Sequence, residues 1–361
     1  MYEVPGCYTI RHSKMPVMPY TLGYDFGSES GRCVLVDVAT GREAATAVHP
    51  YPHAVMDQRL PTGEALGHDW ALQHPADWIE VLTVTTPRVL AEAGVSADEI
   101  IGIGTDFTAC TVLPTTADGR PLCFDEHWAR IPHAWCKLWK HHAAQPWADR
   151  VNDLATKRRE AWLATYGGKV SSEWLLPKVA QVADEAPEVY AAAAQWVEAA
   201  DWIVWQLCGV QTRNACCAGY KGLWDAATGW PSRDFCAAVH PLLADLETKL
   251  GPVRPIGGRA GGLTAAMAAK LGLPAGIPVA VGIIDAHVAL PACGVTGPGD
   301  LVAIMGTSCC HIVCGEERHL VPGMCGVVRD GALPGLFGYE AGQAGFGDHF
   351  AWLSRFLAAG D

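Results

Sequence analysis

Three aspartates stand at the ends of short apolar runs, the place from which a strand directs a side chain into a cleft. Asp25 follows the letters YTLGY, Asp106 follows EIIGIGT and Asp285 follows PVAVGII. Carboxylates in this position can accept the proton of a reacting hydroxyl group, or hold Mg²⁺ directly or through water. Asp285 also precedes an apolar stretch with the composition of a helix, so a simple helix N-cap is the alternative for this residue.

Two short turns are rich in Gly, Ser and Thr. One spans residues 25–30 (DFGSES) and the other is Gly306-Thr307-Ser308. Such turns present consecutive backbone N–H groups to an anion, and their small side chains let a phosphate approach closely. An ordinary hairpin turn has the same composition, so either turn alone is weak evidence. Because one turn falls in each half of the chain, the pair favours a phosphate site.

The common nucleotide-binding and hydrolytic motifs are absent from the sequence. There is no G-x-x-x-x-G-K-[ST], no G-x-G-x-x-G, no H-E-x-x-H and no G-x-S-x-G. A P-loop NTPase, a Rossmann dehydrogenase, a zinc protease and a serine hydrolase therefore each lose their main signature. Any phosphate must be held by turns of another kind.

The elements that position these residues alternate between strands and helices. Residues 20–37 predict two strands around a polar turn, and residues 43–48 predict a third strand. Helical periodicity covers Pro75–Ala93 and stops at Gly94. Residues 99–105 then predict an apolar strand that enters a loop.

The second half of the chain repeats part of this pattern. Residues 132–209 are mainly helical, and a short helix is expected over 263–271. Residues 301–314 again predict a strand, a tight polar turn and a strand, followed by a helical stretch over 348–357. The repeat fits a duplicated α/β domain with a cleft between the copies. The second copy is short, and we expect it to be incomplete.

Composition excludes several classes of protein. Half of the 361 residues are hydrophobic and 18% are charged, as in a globular chain long enough for two domains. The formal charge of −12 argues against a nucleic-acid partner, and no apolar run is long enough for a membrane partner. The fourteen cysteines contain no C-x-x-C, and residues 1–18 lack the apolar core of a secretory signal. We expect an irregular leader, reduced thiols and a cytoplasmic location.

Taken in order, the motifs resemble the FGGY carbohydrate kinases and, within them, the ribulokinase branch. The segments that carry the resemblance are GYDFGSESGRCVLVD, GIGTDFTACTVLPTTADGRPL, HAWCKLWKHHAAQ, SSEWLLPKV, VGIIDAHVALPACG, IMGTSCCHIV and GYEAGQAGFGDHFAW. They are spread from about residue 20 to about residue 358, so the resemblance covers nearly the whole chain. Each motif is moderately specific, and their shared order makes the set strong.

The resemblance implies an actin-like ATPase fold of the α/β class, with two ribonuclease-H-like domains around a deep cleft. It divides the chain into a leader at 1–18, an N-terminal domain at 19–286 and the start of a C-terminal domain at 295–361. Relatives continue past this terminus through a glycine-rich adenosine-binding segment, so we expect the second domain to be truncated and the activity of these residues alone to be uncertain.

The resemblance also assigns roles to individual residues. Asp285 is implied as the general base, and Asp25 as the residue nearest Mg²⁺, through water. The sugar contacts implied are Ala109 (through its backbone), Lys178, Asp285 and Glu340. The ATP phosphate contacts implied are Asp25, Gly27, Ser28, Gly306, Thr307 and Ser308. From the residues alone, Lys178 also fits a helix lysine whose stem packs against the core while its ammonium group reaches water, and His287 fits a packed, hydrogen-bonded core histidine.

The activity implied is transfer of phosphate from Mg²⁺-ATP to the C5 hydroxyl of a ketopentose, giving ribulose 5-phosphate and ADP. The partners implied are therefore ATP and a small sugar, and a homodimer is left open. Two alternatives remain. One is another kinase of the family that acts on xylulose or a polyol. The other is a sugar-binding or regulatory member that keeps the fold without catalysis.

Overall fold

The computed structural model describes residues 19–306, 309–343 and 345–358. The predicted leader and two of the predicted phosphate residues, Thr307 and Ser308, lie outside the described residues. The strands are β1 (Tyr20–Phe26), β2 (Ser30–Asp37), β3 (Glu43–Pro50), β4 (Leu72–Gln73), β5 (Ile100–Phe107), β6 (Val112–Thr115), β7 (Cys136–Lys137), β8 (Gln195–Glu198), β9 (Arg213–Asn214), β10 (Val253–Arg254), β11 (Arg259–Gly262), β12 (Pro278–Ala280), β13 (Ile283–Ile284), β14 (Leu301–Met305), β15 (Cys309–Gly315), β16 (Gly326–Arg329) and β17 (Phe337–Gln343). The α-helices are α1 (Pro75–Ala93), α2 (Gln145–Arg158), α3 (Leu175–Glu185), α4 (Pro187–Ala192), α5 (Ala199–Cys208), α6 (Ala215–Lys221), α7 (Arg233–Val239), α8 (Ala265–Leu271), α9 (Asp285–Ala292) and α10 (Gly347–Ala358).

A seven-stranded sheet forms the centre of the first domain. Its order is β11-β12-β5-β1-β2-β3, and β13 also pairs with β5. β1, β2 and β3 are antiparallel neighbours, whereas β12, β13 and β1 all run parallel to β5. The carboxyl ends of parallel strands meet at one edge of a sheet, and ligands of open α/β sheets bind outside that edge. The carboxyl ends of β1, β5 and β13 therefore lie at the same edge of the sheet.

Local sequence explains the elements next to this edge. α1 begins after His74, whose side chain accepts from the Ala76 N–H, with Pro75 in the first helical position. It ends at Gly94, whose φ of 65° is the left-handed value that glycine adopts without strain. The predicted bounds of this helix are confirmed, as are the β1–β2 hairpin and the strand over residues 43–48.

A second body is mainly helical, as predicted for residues 132–209. α3 is buried along almost its whole length and packs with α2 and α4, while α7 packs on α2, around a core that includes Trp174, Val179 and Trp196. A small sheet of order β4-β7-β6-β8 joins this body to the first sheet, because β6 follows the loop that leaves β5. Residues at the end of β5 are thereby held by both the first sheet and the helical body.

A third sheet, of order β14-β15-β17-β16, begins the second domain. β14 and β15 are antiparallel, which confirms the strand–turn–strand predicted for residues 301–314. The sheet meets the first domain where β16 packs on α6. Gly219 on α6 is required there, because a Cβ at this position would clash with the side chain of Val328 on β16. The helix and the sheet therefore lie in close contact.

The structure also bears on two expectations from composition. Within the described ranges, every helix is too short or too polar to span a bilayer. The described cysteines are free thiols, most of them buried, in agreement with their predicted use as small core residues.

Candidate active site

Three carboxylates meet at the shared edge of the first sheet. The parallel register of β1 and β5 places Asp25 opposite Asp106. β13 pairs with the end of β5, and Asp285 follows β13 as the first residue of α9. Asp285 is therefore inside the helix, with Ile284 in the N-cap position. Its Oδ1 accepts a hydrogen bond of 2.6 Å from the Ala286 N–H.

Asp25 and Asp106 lie side by side in different surroundings. Burial raises the pKa of Asp106 to about 9, and the neighbouring carboxylates of Asp25 and Asp285 add to the rise. Asp106 therefore favours its protonated form at neutral pH. Asp25 is half-exposed and forms an ion pair with Arg32, whose Nη1 lies 2.9 Å from Oδ2.

Asp285 has the properties of a general base. Burial raises its pKa to about 6, and the Ala286 N–H opposes this rise. The negative charges of Asp25 and Glu340 raise the pKa further, while the Lys221 ammonium lowers it. A base with a pKa near the working pH is largely ionised and still takes up a proton readily. Such a shift inside a cleft is typical of a functional carboxylate.

The first predicted phosphate turn is held from three separate parts of the chain. Tyr51 Oη donates to the Gly27 carbonyl over 3.1 Å, and Gln73 Nε2 donates to the Ser28 carbonyl over 2.7 Å. Trp139 Nε1 donates to Ser28 Oγ over 2.9 Å. Because the carbonyls and the hydroxyl are tied down behind the turn, its conformation is fixed before any ligand arrives.

The second predicted turn is described only at its first residue. Gly306 ends β14 and is exposed, and its carbonyl accepts from the Gly347 N–H at the start of α10 over 3.1 Å. The roles of Thr307 and Ser308 stay predictions, since both lie outside the described residues.

Glu340 forms a buried ion pair that the sequence did not reveal. Lys221 Nζ lies 2.8 and 2.7 Å from the two carboxylate oxygens of Glu340. Burial raises the pKa of Glu340, but the Lys221 ammonium outweighs burial and holds it below its usual range. Burial likewise lowers the pKa of Lys221, and the carboxylate more than reverses this. Both groups are therefore charged.

His287 completes this cluster as a neutral side chain. Its Nε2 lies 3.6 Å from Glu340, and its ring packs against Tyr220 with centroids 4.4 Å apart. Burial lowers the pKa of His287 to about 4. The expected burial of this histidine is confirmed, but the expected hydrogen bond is wrong, because within the described residues neither ring nitrogen has a hydrogen-bond partner.

Lys178 lies elsewhere and is fully buried. Its Nζ donates to the carbonyls of Cys110, Lys137 and Leu138, which accounts for all three donors of an ammonium group. The expectation of a helix lysine whose ammonium group reaches water is wrong for Lys178, because the side chain has no exposed surface. Lys178 therefore braces the loop after β5, and its sugar contact stays a prediction.

The loop that Lys178 braces contains Ala109. The Ala109 carbonyl accepts from Thr111 Oγ1 over 3.2 Å, and Cys110 has a φ of 56° in the left-handed region. A non-glycine residue in that region is uncommon and needs surrounding contacts to hold it. The bond from Lys178 to the Cys110 carbonyl supplies such a contact.

Sequence reasoning missed Lys221. It lies in the segment GYKGLWD, whose glycines and aromatic residues indicate turns. The signal that could have found it is a lysine at the end of a largely apolar helix. When such a helix is buried, the lysine is buried with it. Its partner is 119 residues away, too far for any local pattern to show.

Family models match most of the chain. The model of the FGGY family of carbohydrate kinases, N-terminal domain, matches residues 20–291. The model of the C-terminal domain of the same family matches residues 301–361.

Curated relatives are similar along nearly all of this chain. A ribulokinase from Halalkalibacterium halodurans is 56% identical over 339 residues, which is 93% of this chain and 60% of that protein. A ribulokinase from Bacillus licheniformis is 57% identical over 327 residues, which is 90% of this chain and 59% of that protein. The chain thus spans about 60% of the length of these relatives.

Solved structures share the fold. A xylulose kinase from Rhodospirillum rubrum superposes with a TM-score of 0.76 at 24% identity, over 94% of this chain and 64% of that one. A glycerol kinase from Plasmodium falciparum, solved with ADP, gives a TM-score of 0.72 at 14% identity, over 95% and 65% of the two chains. The predicted fold class is confirmed.

Proposed function

The chain belongs to the FGGY family of carbohydrate kinases, and we propose that its site transfers phosphate from Mg²⁺-ATP to a hydroxyl of a ketopentose, with ribulose as the preferred sugar. The observation that carries the proposal is Asp285. It is a carboxylate with a pKa raised to about 6, at the sheet edge where Asp25 and Asp106 also lie. A protein that only binds sugar has no use for a base there.

In the proposed reaction, Asp285 accepts the proton of the C5 hydroxyl as that oxygen forms a bond to the γ-phosphorus. The bond between this phosphorus and the bridging oxygen breaks, and ADP leaves with its electron pair. General-base help of this kind contributes about 10²–10⁴-fold in rate. The turn at Gly27 and Ser28 is proposed to hold phosphate, and Gly306, Thr307 and Ser308 are proposed to do so from the second domain.

The carboxylates fit a magnesium ion. Mg²⁺ prefers hard oxygen ligands and keeps several waters, and Asp25 with Asp106 supplies two carboxyl groups at one point. Burial is the main cause of the raised pKa of Asp106, and the nearby carboxylates of Asp25 and Asp285 add to it; a cation would relieve that crowding. When bound with ATP, Mg²⁺ neutralises charge on the transferring phosphate. We place Asp25 nearest the ion, through water.

For the sugar, we propose Asp285, Glu340, Lys221 and the backbone of Ala109 as polar contacts. Within the described residues Lys221 Nζ donates only to the two oxygens of Glu340, so one of its three donors is left for a sugar oxygen. This gives Lys221 the cationic role that the resemblance assigned to Lys178. The pair joins α6 to β17, so the sugar would bind where the two domains meet.

The remaining proposals concern the setting of the site. We retain the division into domains at 19–286 and 295–361, with the cleft between them. A cytoplasmic location is proposed because free, mostly buried thiols persist in a reducing compartment. The proposed partners are ATP and the ketopentose.

The test is ADP release measured with a panel of ribulose, xylulose and polyols. The proposal expects the highest kcat/KM with ribulose. A preference for xylulose or a polyol would reassign the substrate within the family. Binding of ribulose without any ADP release would favour a regulatory or sugar-binding role and overturn the proposed catalysis.

A further inference from the structure

A cluster of metal-ligating side chains lies away from the three catalytic-site aspartates. His53 follows β3, His74 precedes α1, and Asp77 lies in the first turn of α1. One ligand atom from each of the three lies within 4.8 Å of the other two. We propose that His53, His74 and Asp77 form a binding site for a divalent transition-metal ion such as Zn²⁺.

Asp77 and His53 already lie in direct contact. Oδ1 of Asp77 lies 2.6 Å from His53 Nδ1, and its Oδ2 accepts from the His53 backbone N–H over 3.1 Å. An ion that replaces the proton between Oδ1 and Nδ1 would have both atoms as ligands. Carboxylates that bind metals are themselves commonly hydrogen-bonded, as Asp77 is to the His53 backbone. Asp77 is buried, so its carboxylate is held in place.

His74 brings a second imidazole to the same point. Its ring stacks on that of His53, with centroids 4.0 Å apart and an interplanar angle of 15°. The rings of Phe124 and Trp135 lie beside His74, with centroids 5.9 and 5.1 Å away. Phe124 and Trp135 hold the His74 ring on one side. The other side, where the more exposed His53 lies, is open to an ion.

The rearrangement that binding needs is small. Zn²⁺ takes nitrogen and oxygen ligands at about 2.0–2.2 Å in a tetrahedron, which puts ligand atoms roughly 3.3 Å apart. The 2.6 Å contact between His53 and Asp77 must therefore widen and His74 must turn toward it, which the 38% exposure of the His53 side chain permits. His74 Nδ1 now accepts from the Ala76 N–H over 3.2 Å, and water can replace it there because Ala76 is exposed. A water molecule would complete the tetrahedron.

The donor set separates this site from the proposed magnesium site. Imidazole nitrogen suits zinc, copper and nickel, whereas magnesium prefers oxygen alone. The site also lies behind the first phosphate turn. His53 is two residues from Tyr51, which donates to Gly27, and His74 follows Gln73, which donates to Ser28. A bound ion would tie together the two segments that hold the turn.

The test uses the metal-free protein titrated with Co²⁺, which gives visible absorption when it replaces Zn²⁺. We expect one Co²⁺ per chain, bands typical of nitrogen and oxygen ligands without a thiolate charge-transfer band, and displacement by one equivalent of Zn²⁺. Zn²⁺ at 100-fold excess over its dissociation constant should raise the unfolding midpoint by roughly 2–4 °C. His53→Gln should weaken Co²⁺ binding at least tenfold. His74→Asn should do the same while keeping a residue that caps α1 well.

The matched control is His68→Gln. His68 pairs with Asp69 over 3.0 Å but has no second histidine beside it, so its loss should leave Co²⁺ binding unchanged. Equal Co²⁺ affinity in the parent, His53→Gln and His74→Asn proteins would overturn the site. So would a thiolate band, which would place the ion on cysteines, or the absence of binding at micromolar Co²⁺.

Discussion

Lys221 on α6 and Glu340 on β17 form a buried ion pair, with Nζ 2.8 and 2.7 Å from the two carboxylate oxygens. The pair joins the first domain to the first sheet of the second. Taking two charges out of water is costly, and their mutual attraction offsets that cost only while both partners are present. The pair is therefore a place where one substitution affects both stability and the proposed sugar site.

Lys221→Met should leave the Glu340 carboxylate buried without a cation. Removing one partner of a buried pair costs about 3–5 kcal/mol, so the free energy of unfolding should fall by that order. Lys221→Met combined with Glu340→Leu should recover much of the loss, because no charge is then left unpaired. Chemical denaturation of the three proteins measures this. A double variant as unstable as the single one would contradict the coupling.

Lys178→Met distinguishes the role of Lys178 from that of Lys221. Lys178 uses its three donors on backbone carbonyls, so its loss should lower stability and loosen the loop that carries Ala109. Calorimetry with ribulose should show a larger loss of affinity for Lys221→Met than for Lys178→Met, each measured where the variant is folded. If Lys178→Met alone abolished binding with its stability unchanged, Lys178 would be a direct sugar contact as the resemblance implied.

Asp106 should make stability depend on pH. Its pKa is raised from 3.8 to about 9, so the folded state binds a proton more tightly than the unfolded state. The stabilising effect of that proton is fully present below about pH 3.8 and is lost as pH rises through about 9. Asp106→Asn should flatten the stability profile across this window in the absence of Mg²⁺. An unchanged profile would show that the pKa of Asp106 is not raised in the folded state.

Lys137 is a buried amine without a hydrogen-bond partner in the described part of the chain. Burial lowers its pKa from 10.5 to about 7, and the Lys178 ammonium adds to the effect. The unfolded state therefore binds more protons, and stability should rise as pH increases from about 7 to 10.5. Lys137→Met keeps the volume and should stabilise the protein at neutral pH. The exposed Lys140→Met serves as the control and should change the unfolding midpoint little.

The elements around the site could be predicted because their signals are local. The alternation of β1 and β2 and the 3.6-residue period of α1, with Pro75 and Gly94 at its ends, depend on neighbouring residues only. The position of Asp25, Asp106 and Asp285 at strand ends was likewise a local signal. Their convergence was not, because it depends on the parallel pairing of β1 and β13 with β5.

The charge pairs could not be predicted, because they depend on tertiary packing. A motif identifies a lysine on a helix, but only the packing of α3 against the loops at residues 110 and 137–138 shows that Lys178 is enclosed by carbonyls. In the same way, Lys221 acquires its partner only when β17 docks on α6. Which of the two lysines keeps a donor for a ligand is therefore a property of the fold.

The central claim is that Asp285 is the base of a sugar kinase, and Asp285→Asn tests it most directly. The substitution keeps the size of the side chain but removes its ability to take a proton. The measurement is ADP release with saturating ribulose and Mg²⁺-ATP, beside the exposed control Asp98→Asn. We predict that kcat falls about 10²–10⁴-fold in Asp285→Asn, that ribulose binding changes far less, and that the control keeps normal turnover. In the parent, kcat should rise with pH through about 6 as Asp285 ionises. An Asp285→Asn protein that retained turnover within about threefold of the parent would contradict the account.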